Sequence, residues 1–170
     1  MTERAMFMRY LPMGLFALLA AALDQVSKFL VVEHIPYGTA VPCIPGVVHL
    51  TYVQNFGAAF SFLQGHRWLF VLAFVVLVAL LGLGLYKKML PFTRLELWFL
   101  AAALGGGLGN IIDRVFRGYV VDMIAVEFIS FPVFNLADCF ITCGAALLLI
   151  HLVFWNKSFW KEDKHGADLS

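Results

Sequence analysis

The chain has 170 residues, of which 62% are hydrophobic and only 14% are charged, whereas soluble domains are about 45 to 50% apolar. This composition excludes a soluble globular domain and predicts an α-helical integral membrane protein. The formal net charge of +1 provides no basic field for nucleic acid, so we expect no nucleic acid among its partners.

The first apolar run covers about residues 11–32 and is long enough to cross a hydrocarbon core of roughly 30 Å. A removable signal peptide is the alternative, because Arg4 and Arg9 precede the run and the alanines at 20–22 resemble a cleavage site. The run continues beyond those alanines, which favours a retained transmembrane helix. Asp24 and Lys28 lie four residues apart within it and predict a structural ion pair on one helix face.

Residues 33–65 are punctuated by proline and glycine and contain no run long enough to cross a bilayer. Residues 47–53 and 58–62 are β-branched and aromatic, with turn-forming residues 55–57 between them. The segment therefore predicts a small extramembrane β-hairpin or curved sheet. The sequence leaves open whether this sheet lies on the membrane surface or packs on the helices.

Three further apolar runs cover about residues 68–86, 95–112 and 135–155, which brings the expected number of transmembrane helices to four. Trp68 and Tyr86 stand where interfacial aromatic residues are common. Glycines between residues 105 and 109 of the third run permit the close approach of another helix or of a ligand, and helix packing is the commoner use. We expect one membrane-embedded domain over residues 1–170, with a polar tail at 157–170.

Positive charges set the expected topology. One side of the four-helix arrangement receives most of the lysines and arginines, namely Arg4, Arg9, Lys87, Lys88, Arg94, Lys157, Lys161 and Lys164. The other side receives Arg67, Arg114 and Arg117. The positive-inside rule therefore predicts that both termini are cytoplasmic and that the sheet lies on the outer face.

Asp122 and Asp138 are the candidate catalytic residues, because each stands among apolar residues near a membrane edge and the topology puts both at the same face. Two neighbouring carboxylates share a proton, which leaves one base to activate water and one acid to protonate a leaving group. Asn110, Arg114 and Asn135 lie near enough in this topology to orient a peptide carbonyl.

Each acid also has a structural interpretation. Asp138 stands three residues after Asn135 and could complete a capping box at the start of the fourth helix. Asp122 could form a surface ion pair with Arg114 or Arg117.

The three cysteines predict neither a disulfide framework nor a metal site. Cys139 and Cys143 are one helical turn apart and suit small apolar packing positions. Cys43 stands in a loop, and His49 is the one nearby metal-binding residue type. We expect no metal and no cofactor.

Five ordered segments carry a resemblance to a known family: LDQVSK at 23–28, NFGAAFS at 55–61, GNIIDR at 109–114, VVDMI at 120–124 and FNLAD at 134–138. In this order, with four apolar spans between them, they resemble lipoprotein signal peptidase, also called signal peptidase II. The match covers nearly the whole chain, and Phe56 and Met123 stand at positions where the family varies.

The resemblance implies a bacterial inner-membrane aspartyl protease that processes lipoproteins. Its catalytic pair maps onto Asp122 and Asp138, and its substrates are diacylglyceryl-modified prolipoproteins, cleaved before the lipidated cysteine without a metal. A small β-sheet cradle outside the membrane is also implied. The residues implied to line the substrate site are Asn55, Gly57, Asn110, Arg114 and Asn135, and those implied to support the fold are Asp24, Lys28 and Asp113. Membrane lipids are expected partners, and we expect a monomer.

Two other classes of function compete with the peptidase. A proton-coupled carrier would use Asp24, Asp113, Asp122 and Asp138 as relay groups, but such a relay needs ionisable groups through the depth of the membrane. Only Asp24 and Lys28 lie well inside a predicted span. A structural membrane subunit would use the acids as caps and ion pairs.

Overall fold

The computed structural model describes residues 3–57 and 65–159, with side chains from residue 8 onward. The elements in chain order are α1 (Glu3–His34), β1 (Ala40–Ile44), β2 (Val48–Asn55), α2 (Arg67–Tyr86), α3 (Arg94–Phe116), β3 (Val120–Val126) and α4 (Leu136–Phe154). All four helices are long and apolar enough to cross a membrane. The prediction of an α-helical membrane protein with four spans and a small sheet is confirmed.

Helix α3 is the centre of the bundle and packs against α1, α2 and α4. Small residues permit this, because a Cβ added at Gly105 would lie 2.5 Å from the carbonyl oxygen of Ala17 on α1. On the other side, a Cβ added at Gly144 of α4 would lie 2.6 Å from the carbonyl oxygen of Phe99 on α3. Helix α2 has no buried residue and packs chiefly on α3. Most of the glycines of α3 thus serve helix packing.

Local sequence signals set the ends of α3 and α4. Thr93 and Glu96 form a capping box at the start of α3, and Asn135 and Asp138 form one at the start of α4. Gly118, at φ +86°, follows the end of α3, and its N–H donates to the carbonyl of Asp113. Helix α3 ends at Phe116 rather than near the predicted residue 112, so the polar residues after its glycines lie within its last two turns.

The sheet is antiparallel with strand order β1-β2-β3. The strand predicted at residues 47–53 is confirmed as β2, and Asp122 lies on a further strand, β3. The strand predicted at 58–62 lies outside the described residues. Strand β1 is absent from the sequence prediction because Pro42 lies within it and its pairing with β2 is irregular between Pro42 and Ile44.

The sheet packs on the end of α1 that lies away from the N-terminus. Tyr52, Val121 and Met123 of the sheet form a buried cluster with Val31 of α1 and with Ile35, which directly follows α1. A second cluster lies at the opposite end of the bundle and consists of Met13, Phe92, Leu97, Leu100, Ala101 and Leu152. The sheet therefore rests on the helices, and this contact places β3 beside the start of α4.

The helix contact at Gly105 generates a stability prediction. Gly105→Ala should lower the free energy of unfolding by about 1 to 3 kcal/mol, because the new methyl group has no space against α1. Thermal unfolding of the purified protein measures the change. Gly82→Ala in α2 is the matched control, since its Cβ meets nothing within 4 Å, and it should leave the melting temperature unchanged or slightly higher. Equal melting temperatures for the two variants would contradict the packing argument.

Candidate active site

Asp122 lies on β3 and is buried, with 3% of its surface exposed. Both of its carboxylate oxygens accept hydrogen bonds from side-chain amides. Oδ1 accepts from Nδ2 of Asn135 at 2.7 Å, and Oδ2 accepts from Nδ2 of Asn55 at 2.9 Å. The surface ion pair with Arg114 or Arg117 is not what the structure shows, because Asp122 is held by amides in the interior.

Asp138 is the third residue of α4 and completes its capping box. Its Oδ2 accepts from the backbone N–H of Asn135 at 3.1 Å, and its Oδ1 accepts from Nδ2 of Asn110 at 2.8 Å. The structural interpretation of Asp138 as a cap is therefore confirmed. The cap occupies one oxygen with a backbone donor and leaves the other directed to Asn110, so the carboxylate can serve two purposes.

Asn135 links the two acids. Its Nδ2 donates to Asp122 and also to Oδ1 of Asn110 at 3.2 Å, while its own Oδ1 accepts from the backbone N–H of Asp138 at 3.0 Å. Asn135 is completely buried, so these bonds do not compete with water. A strand residue and a helix residue are thereby joined through one amide.

A buried ion cluster lies behind this amide. Nζ of Lys28 is 2.8 Å from Oδ2 of Asp24 and 2.8 Å from Oδ2 of Asp113, and all three side chains are fully buried. The predicted pair of Asp24 and Lys28 is thus present and gains Asp113 as a third member. Lys28 also donates to Oδ1 of Asn110 at 2.9 Å. Because the oxygen of Asn110 faces the ammonium, its Nδ2 faces Asp138.

The same cluster holds the backbone of the site. The backbone N–H of Ala137 in α4 donates to Asp24 at 2.9 Å, and that of Val121 in β3 donates to Asp113 at 3.2 Å. The buried charges of Asp24, Lys28 and Asp113 bond to one another. This argues against the carrier interpretation, since a relay needs groups that can exchange protons along a path.

Arg114 connects α3 with the loop after β2. Its Nη2 donates to the carbonyl of Gly57 at 2.8 Å, its Nη1 donates to the carbonyl of Asn110 at 3.3 Å, and its guanidinium lies 4.5 Å from the ring centroid of Phe70. The N–H of Gly57 donates to Oδ1 of Asn55 at 2.9 Å. Gly57 is therefore fixed between two side chains of the site.

The two acids line a cleft of about 810 Å³. Its polar lining includes Asn55, Asn110, Arg114, Asp122 and Asp138, and its apolar lining includes Phe56, Phe70, Phe131, Phe134 and Ile141. Asn135 and Gly57 are not among the described residues that line the cleft. They instead form hydrogen bonds with Asp122 and Arg114, which do line it. The cleft combines an apolar wall with a few convergent polar groups, which is the usual composition of a small-molecule or peptide site.

Burial raises the pKa of Asp122 to about 6, above its ordinary value of 3.8. The hydrogen bond from Asn55 lowers the pKa, and the negative charge of Asp138 raises it. A carboxyl group of this kind can carry a proton at a pH where an exposed aspartate cannot. In the described parts of the chain, no group of three or more His, Cys, Asp or Glu residues is placed to hold a metal ion.

Sequence reasoning named the polar residues of the site but not its apolar wall. Phe70, Gly107, Phe131 and Thr142 line the cleft, and none was predicted as a site residue. Phe70 was predicted only as a transmembrane residue, and Gly107 belongs to the glycine run for which approach of a ligand was the less common alternative. Only the tertiary fold brings them to the acids. Phe56, Val120 and Phe134 lie in the quoted NFGAAFS, VVDMI and FNLAD segments, which were the usable signals for the apolar wall.

Comparisons with known proteins identify the family of this chain. Residues 16–154 match the family model described as signal peptidase (SPase) II. A lipoprotein signal peptidase of Streptococcus pyogenes serotype M1 is 45% identical over 152 residues, which is 88% of this chain and 93% of the relative. One from serotype M3, strain ATCC BAA-595 / MGAS315, is 44% identical over the same shares.

Solved structures give the same result for the fold. A bacterial membrane enzyme determined by the in meso method at 2.3 Å resolution superposes with a TM-score of 0.77 at 30% identity, over 88% of this chain and 91% of the other. A second, at 1.9 Å resolution, gives 0.73 at 30% identity over 82% and 91%. With most of its length matched in both sequence and fold, and with two carboxylates facing one membrane-edge cleft, this chain belongs to the signal peptidase II family of membrane peptidases.

Proposed function

We propose that this peptidase removes the signal peptide from diacylglyceryl-modified prolipoproteins, cleaving before the lipidated cysteine, with Asp122 and Asp138 as its catalytic pair. The observation that carries the assignment is that Asn135 bonds both carboxylates at one cleft: its side-chain amide donates to Asp122 on β3, and its backbone N–H donates to Asp138 on α4. The relatives are named lipoprotein signal peptidases, which supports the substrate class.

The mechanism uses one proton shared by the pair. Asp138, ionised, takes a proton from a bound water as the water oxygen attacks the scissile carbonyl carbon, and Asp122, protonated, donates to the carbonyl oxygen. The tetrahedral intermediate collapses when Asp138 gives its proton to the leaving nitrogen and Asp122 recovers one from a hydroxyl. The C–N bond breaks without a covalent enzyme intermediate. The raised pKa of Asp122 supports its assignment as the acid.

Hydrogen-bonding residues around the pair bind and orient the peptide. Arg114 and Asn55 line the cleft and offer donors to a substrate carbonyl or to the developing oxyanion. Asn110 and Asn135 fix the orientation of the carboxylates, and Gly57 holds Arg114 and Asn55 in place through its carbonyl and its N–H. Asp24, Lys28 and Asp113 have a structural role, since they are fully buried behind the cleft.

The cleft also explains how a lipidated substrate enters. Part of its lining comes from Phe70 on α2, Gly107 on α3 and from Ile141 and Thr142 on α4. Because both α2 and α4 contribute to the lining and α2 packs chiefly on α3, we propose that the lipidated substrate enters sideways from the bilayer between α2 and α4. The diacylglyceryl chains can remain in the bilayer while the backbone reaches the acids, so partitioning contributes to positioning.

We further propose that the enzyme is a monomer of the bacterial inner membrane, with cytoplasmic termini and an outward-facing site. The lysine and arginine residues at 87, 88, 94 and 157 stand at the ends of spans away from the acids, which supports this orientation.

Exchange of either acid for its amide should abolish cleavage. Asp122→Asn and Asp138→Asn keep side-chain size but cannot exchange a proton, so each should lower kcat for a diacylglyceryl-modified precursor by about 10³-fold or more. The double variant should be scarcely slower than either single one, because the acids act as a unit.

Purified variants with matched melting temperatures provide the measurement. Glu127→Gln is the control, since Glu127 follows β3 but does not contribute to the described lining of the cleft, and it should retain wild-type turnover. Near-normal turnover in either Asp122→Asn or Asp138→Asn would contradict the assignment of these two acids as the catalytic pair.

The protonation of Asp122 should be visible in the substrate-free enzyme. Difference infrared spectra should show a protonated carboxyl band that disappears as the pH rises through about 6 and that is missing from Asp122→Asn. Asp138→Asn should shift the midpoint to lower pH, because a negative charge that raises the pKa of Asp122 is removed. The midpoint should stay above 3.8, since burial remains the largest cause. An unchanged midpoint would show that the two acids do not interact.

Reporter fusions test the proposed orientation. A reporter that is active only in the cytoplasm should give signal when fused after Lys88 or at the C-terminus, and none when fused after Gly118, because charge asymmetry orients the spans. Signal from the Gly118 fusion would reverse the topology and place the acids on the cytoplasmic side.

A further inference from the structure

The free end of the sheet carries an exposed apolar surface, which we call the apolar rim. It consists of Val41, Ile44, Val47, Phe128, Ile129 and Phe131, whose exposed fractions range from 39% for Val47 to 66% for Phe128. The turn between β1 and β2 and the loop after β3 meet there, because the N–H of Glu127 donates to the carbonyl of Val47 at 2.9 Å. The rim is thus one surface contributed by two segments.

The rim has no charged residues of its own. Residues 35–48 and residues 128–137 contain no Asp, Glu, Lys or Arg. All five residues of the edge strand β1 are exposed. Pro42 and the irregular pairing beside it discourage the addition of another strand, but they leave the apolar side chains of β1 uncovered. A large exposed apolar patch indicates contact with another apolar surface.

Two ionisable residues at the border of the rim bond to each other. Oε1 of Glu127 lies 3.0 Å from Nδ1 of His49, and their side chains are 33% and 25% exposed. A mutually bonded pair is less costly to bring close to a medium of low dielectric than an isolated carboxylate would be. The borders of the rim are therefore compatible with an apolar neighbour.

The rim is continuous with the membrane-facing part of the molecule. Phe131 belongs to the rim and also lines the cleft, and its ring packs edge-on against Phe134 at 5.7 Å. Phe134 directly precedes Asn135, the N-cap of α4. The rim thus begins where a transmembrane helix enters the bilayer, and its aromatic, uncharged composition is that of interfacial segments.

From this placement we infer that the apolar rim inserts into the lipid leaflet beside the sheet and anchors the sheet to the membrane. Lipid is the occupant because the surface is uncharged, continuous with a span and lined by aliphatic and aromatic side chains. One consequence, which rests on the proposed function, is that the mouth of the cleft lies at lipid depth, so a lipidated residue reaches the acids without leaving the bilayer.

The depth of the rim can be measured without any substrate. Nitroxide labels are placed on Ile44→Cys and Ile129→Cys in a background of Cys43→Ser, Cys139→Ala and Cys143→Ala, in neutral phosphatidylcholine vesicles. Leu80→Cys on the exposed face of α2 is the lipid reference, and Lys157→Cys is the aqueous reference. Both rim labels should collide with oxygen more than with a water-soluble nickel complex, as the Leu80 label does.

Preferential collision with nickel at both rim positions would overturn the inference. Spin–spin broadening between labels on two copies would also overturn it, because the rim would then be a contact between proteins. Since this measurement needs no cleavage, it can fail while the peptidase assignment stands, and the reverse is equally true.

A kinetic experiment tests the rim in the protein with its three native cysteines retained. Phe128 and Ile129 do not contribute to the described lining of the cleft, so Phe128→Glu with Ile129→Glu should leave kcat unchanged. In vesicles the paired change should raise KM for a lipidated precursor about 5- to 10-fold, since charged side chains resist insertion even near the interface.

Two comparisons make the kinetic result specific. In detergent micelles the rise in KM should shrink, and Phe128→Trp with Ile129→Leu, which keeps the rim apolar, should restore the vesicle KM. An unchanged vesicle KM in the glutamate variant would contradict insertion of the rim.

Discussion

Lys28 is a fully buried ammonium within a transmembrane helix, and much of the site depends on how its charge is compensated. Asp24 comes from the same helix, Asp113 and Asn110 come from α3, and each lies within hydrogen-bond distance of Nζ. Removing one partner of such a buried pair typically costs about 3 to 5 kcal/mol, because a charge is left without compensation. The cluster therefore fixes α1 against α3, and through Ala137 and Val121 it also fixes the start of α4 and the strand that carries Asp122.

The side-chain amides of Asn110 and Asn135 connect the buried ion cluster to the two acids of the site. Asn110 must direct its oxygen toward the ammonium, so its nitrogen is available to Asp138, and Asn135 divides its two N–H groups between Asn110 and Asp122. An amide can donate and accept at once without changing its charge, which suits it to hold two carboxylates near each other. The capping box of α4 adds a backbone donor to Asp138. The hydrogen bond that caps the helix therefore also orients the carboxylate.

Much of this arrangement could be predicted from the sequence, because its signals are local. Long apolar runs predict the spans, the Asn135 and Asp138 spacing predicts the cap, and the spacing of Asp24 and Lys28 predicts their pair. The pairing of Lys28 with Asp113 could not be predicted, since Asp113 is 85 residues away along the chain and reaches Lys28 only through helix packing. Strand β1 was missed because Pro42 interrupts its strand-forming sequence. Phe70 was missed because its place in the cleft depends on the packing of α2 against α3.

The sequence of helix α2 is under weaker packing constraints than those of the other three membrane-spanning helices. No residue of it is buried, and it packs chiefly on α3, with Phe74 lying over Gly107 at that contact. A library of random apolar substitutions should therefore leave most positions of α2 functional, since lipid accepts one aliphatic side chain much as another. In α3, the same library would meet the backbone of α1 at Gly105 and the carboxylate of Asp24 at Gly109. Apart from Phe70 and Phe74, substitutions along α2 are thus constrained chiefly by hydropathy, whereas those at the glycines of α3 are constrained by residue identity.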